Sequence, residues 1–105
     1  MTSARQPATM LPEHYKTKLL EIIQQHLPDA KIYLYGSRAR NENRKGSDVD
    51  LALDAGSVID LKIMWGIEEA IEDSTIPFFV DVIDLKNVSS KFRERIEKDM
   101  VPWKV

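Results

Sequence analysis

The segment from Asp48 to Asp54 most constrains how this chain folds, because its residues alternate between two kinds. Val49, Leu51 and Leu53 take every second position, and three aspartates and one alanine take the others. Successive side chains of a β-strand point to opposite faces, so this spacing predicts a strand with one apolar face and one face that bears carboxylates. A strand with a carboxylate-bearing face is unusual and needs a physical reason.

Apolar spacing elsewhere in the chain predicts two more strands and three helices. Short runs rich in β-branched and aromatic residues indicate strands at Lys31 to Tyr35 and Phe78 to Ile83. Helical periodicity indicates helices over Pro12 to Leu27, residues 58 to 73 and residues 90 to 99. Ser57 with Asp60 predicts the start of the second helix, and the tail from Trp103 predicts a short edge strand. The mixture predicts an α+β fold, a small mixed β-sheet packed with about three helices.

Length and composition exclude several classes of protein. The chain has 105 residues, enough for one domain, and no cysteine, which excludes a disulfide scaffold and thiolate-bound zinc. A net charge of −2 is not the basic footprint of a nucleic-acid-binding protein, so nucleic acid is not expected as a direct substrate. No apolar run approaches about 18 residues, and the first residues do not form a secretory signal. We therefore predict a cytoplasmic protein without a membrane span, with a flexible arm at residues 1–10 and one domain over residues 11–105.

Two aspartates of the alternating strand and one acid elsewhere are the candidate metal ligands. Asp48 and Asp50 share a face, with Cα atoms about 6.5–7 Å apart. Carboxylate oxygens favour Mg²⁺ or Mn²⁺, and Asp81 in the third predicted strand could complete a site for two ions roughly 3.5–4 Å apart. The alternative is that Asp48 and Asp50 form the solvent-facing half of the strand. Asp54 and Asp84 stand at strand ends and are expected to be solvated surface residues.

The turn after the first predicted strand is the candidate phosphate site. Gly36 lets the backbone approach a ligand closely, and the Ser37 hydroxyl and the following N–H groups can donate to phosphate. Local positive charge, which suits a triphosphate, comes from Arg38, Arg40, Arg44 and Lys45 against Glu42 alone. An ordinary turn with an N-cap serine, followed by a solvated basic loop, fits each of these signals when it is taken alone.

Together these residues resemble a known family. Gly36-Ser37, ten residues and then Asp48-Val49-Asp50 reads G-S-x10-D-x-D, which is similar to the minimal nucleotidyltransferases of the DNA polymerase β superfamily. The segment F-F-V-D-V-I-D-L resembles the family's strand with the third acid, which corresponds to Asp81, and F-R-E-R-I resembles its C-terminal helix. The resemblance extends from residue 11 to the end. Asn41 stands where the family commonly has glycine, and asparagine tolerates the left-handed backbone, so we expect the turn to survive.

The resemblance implies a polymerase-β-like nucleotidyltransferase fold and a two-metal reaction on ATP. An acceptor hydroxyl attacks the α-phosphorus and pyrophosphate leaves; neither His14 nor His26 is expected to take part. The implied nucleotide-binding residues are Gly36, Ser37, Arg38 and Arg40. The implied catalytic residues, which also hold two Mg²⁺ ions or Mn²⁺, are Asp48, Asp50 and Asp81.

The resemblance also implies a partner. Beyond the predicted core nothing remains for an acceptor-binding domain, so we expect the acceptor site to come from another chain or from the substrate. Such short proteins are commonly paired with a helical HEPN-type partner, and can act as antitoxins that attach AMP from ATP to a tyrosine of the HEPN toxin. Two alternatives stay open: a non-catalytic antitoxin that neutralises a HEPN partner by contact, and a small-molecule, antibiotic-type nucleotidyltransferase. Trp65 and Trp103 are either partner contacts or core residues.

Overall fold

The computed structural model describes residues 11–40 and 48–105. In chain order the elements are α1 (Glu13–His26), β1 (Lys31–Tyr35), β2 (Val49–Asp54), α2 (Leu61–Glu72), β3 (Val80–Asp84), a 3₁₀ turn (Leu85–Asn87), α3 (Ser90–Glu97) and β4 (Val101–Lys104). The predicted arm at residues 1–10 and the loop predictions for Asn41, Glu42, Arg44 and Lys45 lie outside the described residues. Among the described helices, none combines the length and the apolar character that crossing a bilayer requires.

The four strands form one mixed sheet in the order β3-β2-β1-β4. β1 pairs antiparallel with both β2 and β4, whereas β2 and β3 run parallel. The connection from β2 to β3 contains α2, as a parallel pair requires, because its strands need a long crossover. The predicted α+β fold with a small mixed sheet and three helices is confirmed.

The apolar face of β2 builds the main core, as its alternation predicts. Val49, Leu51 and Leu53 are fully buried, and α1 and α2 cover this face of the sheet. The helix residues buried here are Leu19, Ile22, Ile23, Met64, Ile67 and Ile71. Burial of one such side chain contributes about 1.5–3 kcal/mol, so the core determines which face of β2 is left for the aspartates.

The opposite face of the sheet is partly covered by α3. Ala52 lies between Asp50 and Asp54 on this face and is completely buried. It belongs to a second, smaller cluster with Tyr35, Leu85 and Ile96. The carboxylate-bearing face is therefore not wholly solvated: a small core lies beneath α3, and the aspartates flank it.

Two helix boundaries differ from their sequence predictions by more than one residue. α2 begins at Leu61 rather than at residue 58, because Asp60 and not Ser57 caps it; the Asp60 carboxylate accepts from the Lys62 N–H at 2.7 Å. α3 ends at Glu97, two residues before the predicted end. Side-chain capping thus decides where α2 starts, and the nearest acid to the first turn is the effective cap.

The third strand is displaced from its prediction, and the predicted edge strand is present. β3 runs from Val80 to Asp84 instead of starting at Phe78, and it pairs with β2 along its whole length. β4 starts at Val101, two residues before the predicted tail strand, and lies at the edge beside β1. Trp103 on β4 is half-buried against the main core, whereas Trp65 on α2 is exposed.

Asp84 corrects the prediction of a solvated surface acid. Its side chain is only 7% exposed, and its carboxylate accepts from the N–H groups of Ile59 at 2.7 Å and Lys86 at 2.9 Å. Asp54 is half-buried; it accepts from the Gly56 N–H at 2.9 Å and lies 3.8 Å from the Lys86 ammonium. Both acids therefore hold loops at one end of the sheet.

We expect Asp84→Ala to lower the free energy of unfolding by about 2–3 kcal/mol, because two N–H donors that the carboxylate now satisfies lose their partner beside the core. Urea denaturation measures the change. Asp54→Ala is the matched control, since its interactions are more exposed and its loss should stay near 1 kcal/mol, as is usual for such contacts. Equal losses in the two variants would show that the buried carboxylate of Asp84 stabilises the fold no more than the more exposed carboxylate of Asp54.

Candidate active site

The register of the sheet places Tyr35, Asp50 and Asp81 side by side on the face opposite the main core. Tyr35 pairs with Asp50 across the antiparallel strands β1 and β2, and Asp81 pairs with Asp50 across the parallel strands β2 and β3. Neighbouring strands lie about 4.8 Å apart, and paired residues send their side chains to the same face. The pairing of β2 with β3 therefore brings two carboxyl groups into adjacent positions.

The pKa of Asp50 is raised above its ordinary value. Partial burial is the largest cause, the negative charges of Asp81 and then Asp48 add to it, and the positive charge of Arg40 opposes it. Asp48 stands immediately before β2, is exposed, and shares the face of Asp50. All three acids predicted from the sequence thus contribute to one concentration of negative charge, which a cation would relieve.

Tyr35 is a further residue of the candidate site that sequence reasoning missed. Burial, followed by the charges of Asp50 and Asp81, raises the pKa of its phenol, so the group keeps its proton at neutral pH and remains a hydrogen-bond donor. The ring packs edge-on against Phe92 of α3, with centroids 6.2 Å apart. The signal available in the sequence was its place as the last residue of the strand, directly before Gly36.

Gly36 lies directly against Asp50. Its φ of +81° is in the left-handed region, and a Cβ placed there would overlap Asp50 Oδ2 and lie 3.2 Å from Asp50 Cγ. The Gly36 carbonyl accepts from the Arg40 N–H at 3.1 Å, which closes one helical turn after β1. Glycine is needed here for both its backbone angle and its lack of a side chain. The predicted phosphate turn and the predicted acids are therefore neighbours in space.

The remaining residues of the predicted phosphate site occupy different environments. Arg40 is exposed and is close enough to Asp50 to lower its pKa. Arg38 places its guanidinium carbon 5.5 Å from the centroid of the Phe78 ring, a cation–π contact. Ser37 follows Gly36 at the start of the turn and is partly buried. Gly36 and Arg40 are therefore close to Asp50, and Ser37 is next to Gly36 in the sequence.

Comparison with known proteins identifies the family. The family model described as polymerase beta, nucleotidyltransferase, matches residues 17–101. The chain belongs to this family. As a nucleotidyltransferase it has the fold and the enzyme class that its resemblance to the minimal nucleotidyltransferases implies.

This nucleotidyltransferase is similar in sequence to curated relatives and in fold to solved structures. It is 36% identical over 77 residues to the Haemophilus influenzae protein named "Probable protein adenylyltransferase MntA", covering 73% of this chain and 68% of that protein. A chain in the crystal structure of a toxin–antitoxin with AMP-PNP superposes with a TM-score of 0.72 at 23% identity, covering 86% of this chain and 73% of that one. A chain in the structure of the tri-AMPylated Shewanella oneidensis HEPN toxin in complex with MNT antitoxin gives 0.68 at 21% identity, covering 89% and 72%. Both superpositions confirm the fold.

The acids of the nucleotidyltransferase are the type of ligand that Mg²⁺ prefers, but their side chains do not converge on one point. Over residues 11–40 and 48–105, no three histidine or carboxylate side chains are grouped closely enough to hold a metal ion. The donor set nevertheless fits Mg²⁺, because Asp50, Asp81 and Asp48 offer hard oxygen atoms and repel one another without a cation. Two Mg²⁺ ions held by these three acids remain a prediction.

The histidines of the nucleotidyltransferase belong to α1, which packs on the other face of the sheet. His14 is exposed. His26 is partly buried: its Nδ1 lies 2.9 Å from the Ile22 carbonyl, and its ring packs against Gly66 of α2. Neither residue contributes to the site around Asp50.

Proposed function

We propose that this nucleotidyltransferase transfers AMP from ATP to a hydroxyl group of a partner protein. The proposed partner is a HEPN-type toxin, and this chain is proposed to be its antitoxin. The observation that carries the proposal is the adjacency of Asp50 and Asp81 beside Gly36. A relative named as a protein adenylyltransferase supports AMP as the transferred group. Solved relatives in fold that contain a HEPN toxin or AMP-PNP support the partner class and the nucleotide. ATP as the donor makes the cytoplasm the proposed compartment.

The turn after β1 is the proposed triphosphate site. Gly36 has no side chain that would separate the turn from the Asp50 carboxylate, so phosphates bound at this turn would lie beside the acids, and the Ser37 hydroxyl can donate to them. Arg40 adds positive charge at the acids, and Arg38 supplies a second guanidinium in the same turn. These residues would orient the α-phosphate toward the carboxylates.

The carboxylates are the proposed catalytic residues. Asp48, Asp50 and Asp81 would hold two Mg²⁺ ions, with Mn²⁺ as the alternative. When bound, these ions neutralise the phosphates and lower the pKa of the acceptor hydroxyl. The acceptor oxygen bonds to the α-phosphorus, the bond to the bridging oxygen breaks, pyrophosphate leaves and the hydroxyl proton passes to water. The protein contributes position and charge, which are the main sources of rate in phosphoryl chemistry.

The test uses the purified chain, Mg²⁺ and a HEPN-type partner, sought among the products of the neighbouring genes. We expect label from ATP marked at the α-phosphate to appear on the partner protein, no label from ATP marked at the γ-phosphate, and release of pyrophosphate. The double variant Asp48→Ala/Asp50→Ala should transfer nothing and should leave the toxin active. Label from the γ-phosphate would mean phosphorylation instead and would overturn the proposal.

The same assay separates the other functions that the sequence leaves open. A contact-only antitoxin would neutralise the toxin equally well as the wild type and as the double variant, with no label moved by either. A small-molecule nucleotidyltransferase would label an aminoglycoside and leave the partner protein unlabelled.

A further inference from the structure

A large groove beside the acids has no role in nucleotide binding as proposed above. It lies between α2 and the segment that leads into β3, and its volume is about 1050 Å³. Trp65 forms part of one wall, and Pro77 and Phe79 form part of the other. Asp81, the residue paired with Asp50, is one of the lining residues. An occupant of the groove would therefore contact one of the three proposed catalytic acids.

The walls of the groove present aromatic surface to solvent. Trp65 is 60% exposed and Phe79 is 64% exposed, although their neighbours Met64 and Phe78 point inward and pack on the main core. Phe78 makes an edge-on contact with Tyr15, with centroids 5.2 Å apart. The core is thus complete without Trp65 and Phe79. Large exposed aromatic side chains that gather in one concavity mark a surface that binds a partner.

The rim of the groove is acidic. Among its lining residues, Glu68, Glu69, Glu72 and Asp81 are opposed by Lys62 alone. This excess disfavours an acidic or phosphorylated occupant, and it disfavours the triphosphate itself. Charge complementarity therefore selects a basic segment, with lysine or arginine side chains around an apolar anchor.

The shape of the groove favours an extended segment. β3 is one of the two edge strands of the sheet in the described part of the chain, and it pairs with β2 alone. Its outer edge carries N–H and C=O groups that can bond to an added strand, a common mode of peptide recognition. Side chains of such a segment would alternate toward and away from the aromatic wall.

We propose that this groove, lined by Trp65, Phe79 and the glutamates of α2, binds a basic extended segment of the acceptor protein and delivers its hydroxyl side chain to Asp81. The proposal rests on the proposed function, because it names where the acceptor of that reaction docks. It assigns the nucleotide and the acceptor to different sides of the acids: the nucleotide to the Gly36 turn, and the acceptor to the groove between α2 and β3.

The test compares groove variants in the transfer assay and in binding to the same HEPN-type partner without ATP. We expect Trp65→Ala/Phe79→Ala to raise KM for the partner at least tenfold and to weaken partner binding equally, with KM for ATP unchanged. Leu61→Ala is the matched control, because Leu61 is also on α2 and 61% exposed but does not line the groove. It should behave as the wild type.

Charge reversal supplies a second measurement. Glu68→Lys/Glu69→Lys/Glu72→Lys should also raise KM for the partner at least tenfold. Added salt should weaken partner binding by the wild type and strengthen binding by this variant, because the reversed charges repel a basic segment. Circular dichroism and the melting temperature check that each variant is folded; the substituted side chains are exposed, so the fold should not change.

The outcomes separate this inference from the proposed function. Unchanged KM and unchanged partner binding in both groove variants would overturn the docking groove while leaving AMP transfer intact. Partner binding that depends on the groove, without any transfer by the wild type, would overturn the proposed function alone. If sedimentation shows a wild-type dimer that Trp65→Ala/Phe79→Ala converts to monomers, with partner binding unaltered, the groove binds a second copy of this chain and the proposal is wrong.

Discussion

Asp50→Asn is expected to reduce AMP transfer by at least about 10²-fold and to raise the melting temperature of the protein at neutral pH. Asparagine keeps the size of the side chain but removes the charge that repels Asp81 and Asp48. The same change removes a proposed metal ligand, so stability and activity should move in opposite directions. Label transfer under saturating ATP measures the first effect, and thermal unfolding of the metal-free protein measures the second.

The gain in stability should depend on pH in a defined direction. Because the pKa of Asp50 is raised in the folded protein, folding binds a proton at pH values between the unfolded pKa and the folded pKa. The wild type therefore loses stability as the pH rises through this interval, whereas the asparagine variant does not. The difference in melting temperature should be largest at neutral pH and should disappear below about pH 4, where the unfolded carboxyl is also protonated.

Asp54→Asn is the matched control for this variant. Asp54 lies on the same strand and the same face, four positions along the chain, where it holds a loop instead of facing Asp81. Asp54→Asn should retain transfer activity, and it should not raise the melting temperature at any pH. If the Asp50 variant destabilised the metal-free protein, Asp50 would be a structural hydrogen-bonding residue, and its assignment as a metal ligand would fail.

Gly36→Ala should lower the free energy of unfolding by about 1–2 kcal/mol and reduce transfer by roughly 10²-fold. The left-handed backbone at this position causes the loss of stability. The overlap of the new methyl group with Asp50 Oδ2 causes the loss of rate, because the short aspartate side chain has to rotate away from its position. Urea denaturation and the transfer assay measure the two effects.

Gly56→Ala separates these causes. Gly56 has a similar φ of +87°, but a Cβ there meets no atom within 4 Å. The control should therefore lose about the same stability and keep its activity. An alanine at position 36 that lowered stability but left the rate intact would mean that the Asp50 carboxylate is not required where the structure holds it.

The local features of this site could be predicted from the sequence, because their physical causes are local. The period of two in residues 48–54 predicts which side chains of β2 share a face, and the core under Val49, Leu51 and Leu53 bears this out. Gly36 directly after a strand predicts close backbone approach, and the structure places Asp50 against it.

The features that sequence reasoning missed or left open depend on pairing between distant segments. Asp81 was predicted as the third acid, but no periodicity reveals that it is opposite Asp50, since this requires the parallel register of β2 and β3. Tyr35 was missed because its role arises from a cross-strand neighbour. Asp84 was misjudged because its burial depends on the loop before α2 folding back to place Ile59 beside it.

The parallel register of β2 and β3 also limits how the genes of such proteins can change in length. Insertion of one residue within β3, between Val80 and Asp81, would move Asp81 by one position against β2 and turn it toward the main core. A two-residue insertion would restore the correct face. Active relatives should therefore differ in the length of this strand by an even number of residues. An odd insertion should be found only where a β-bulge accommodates the extra residue.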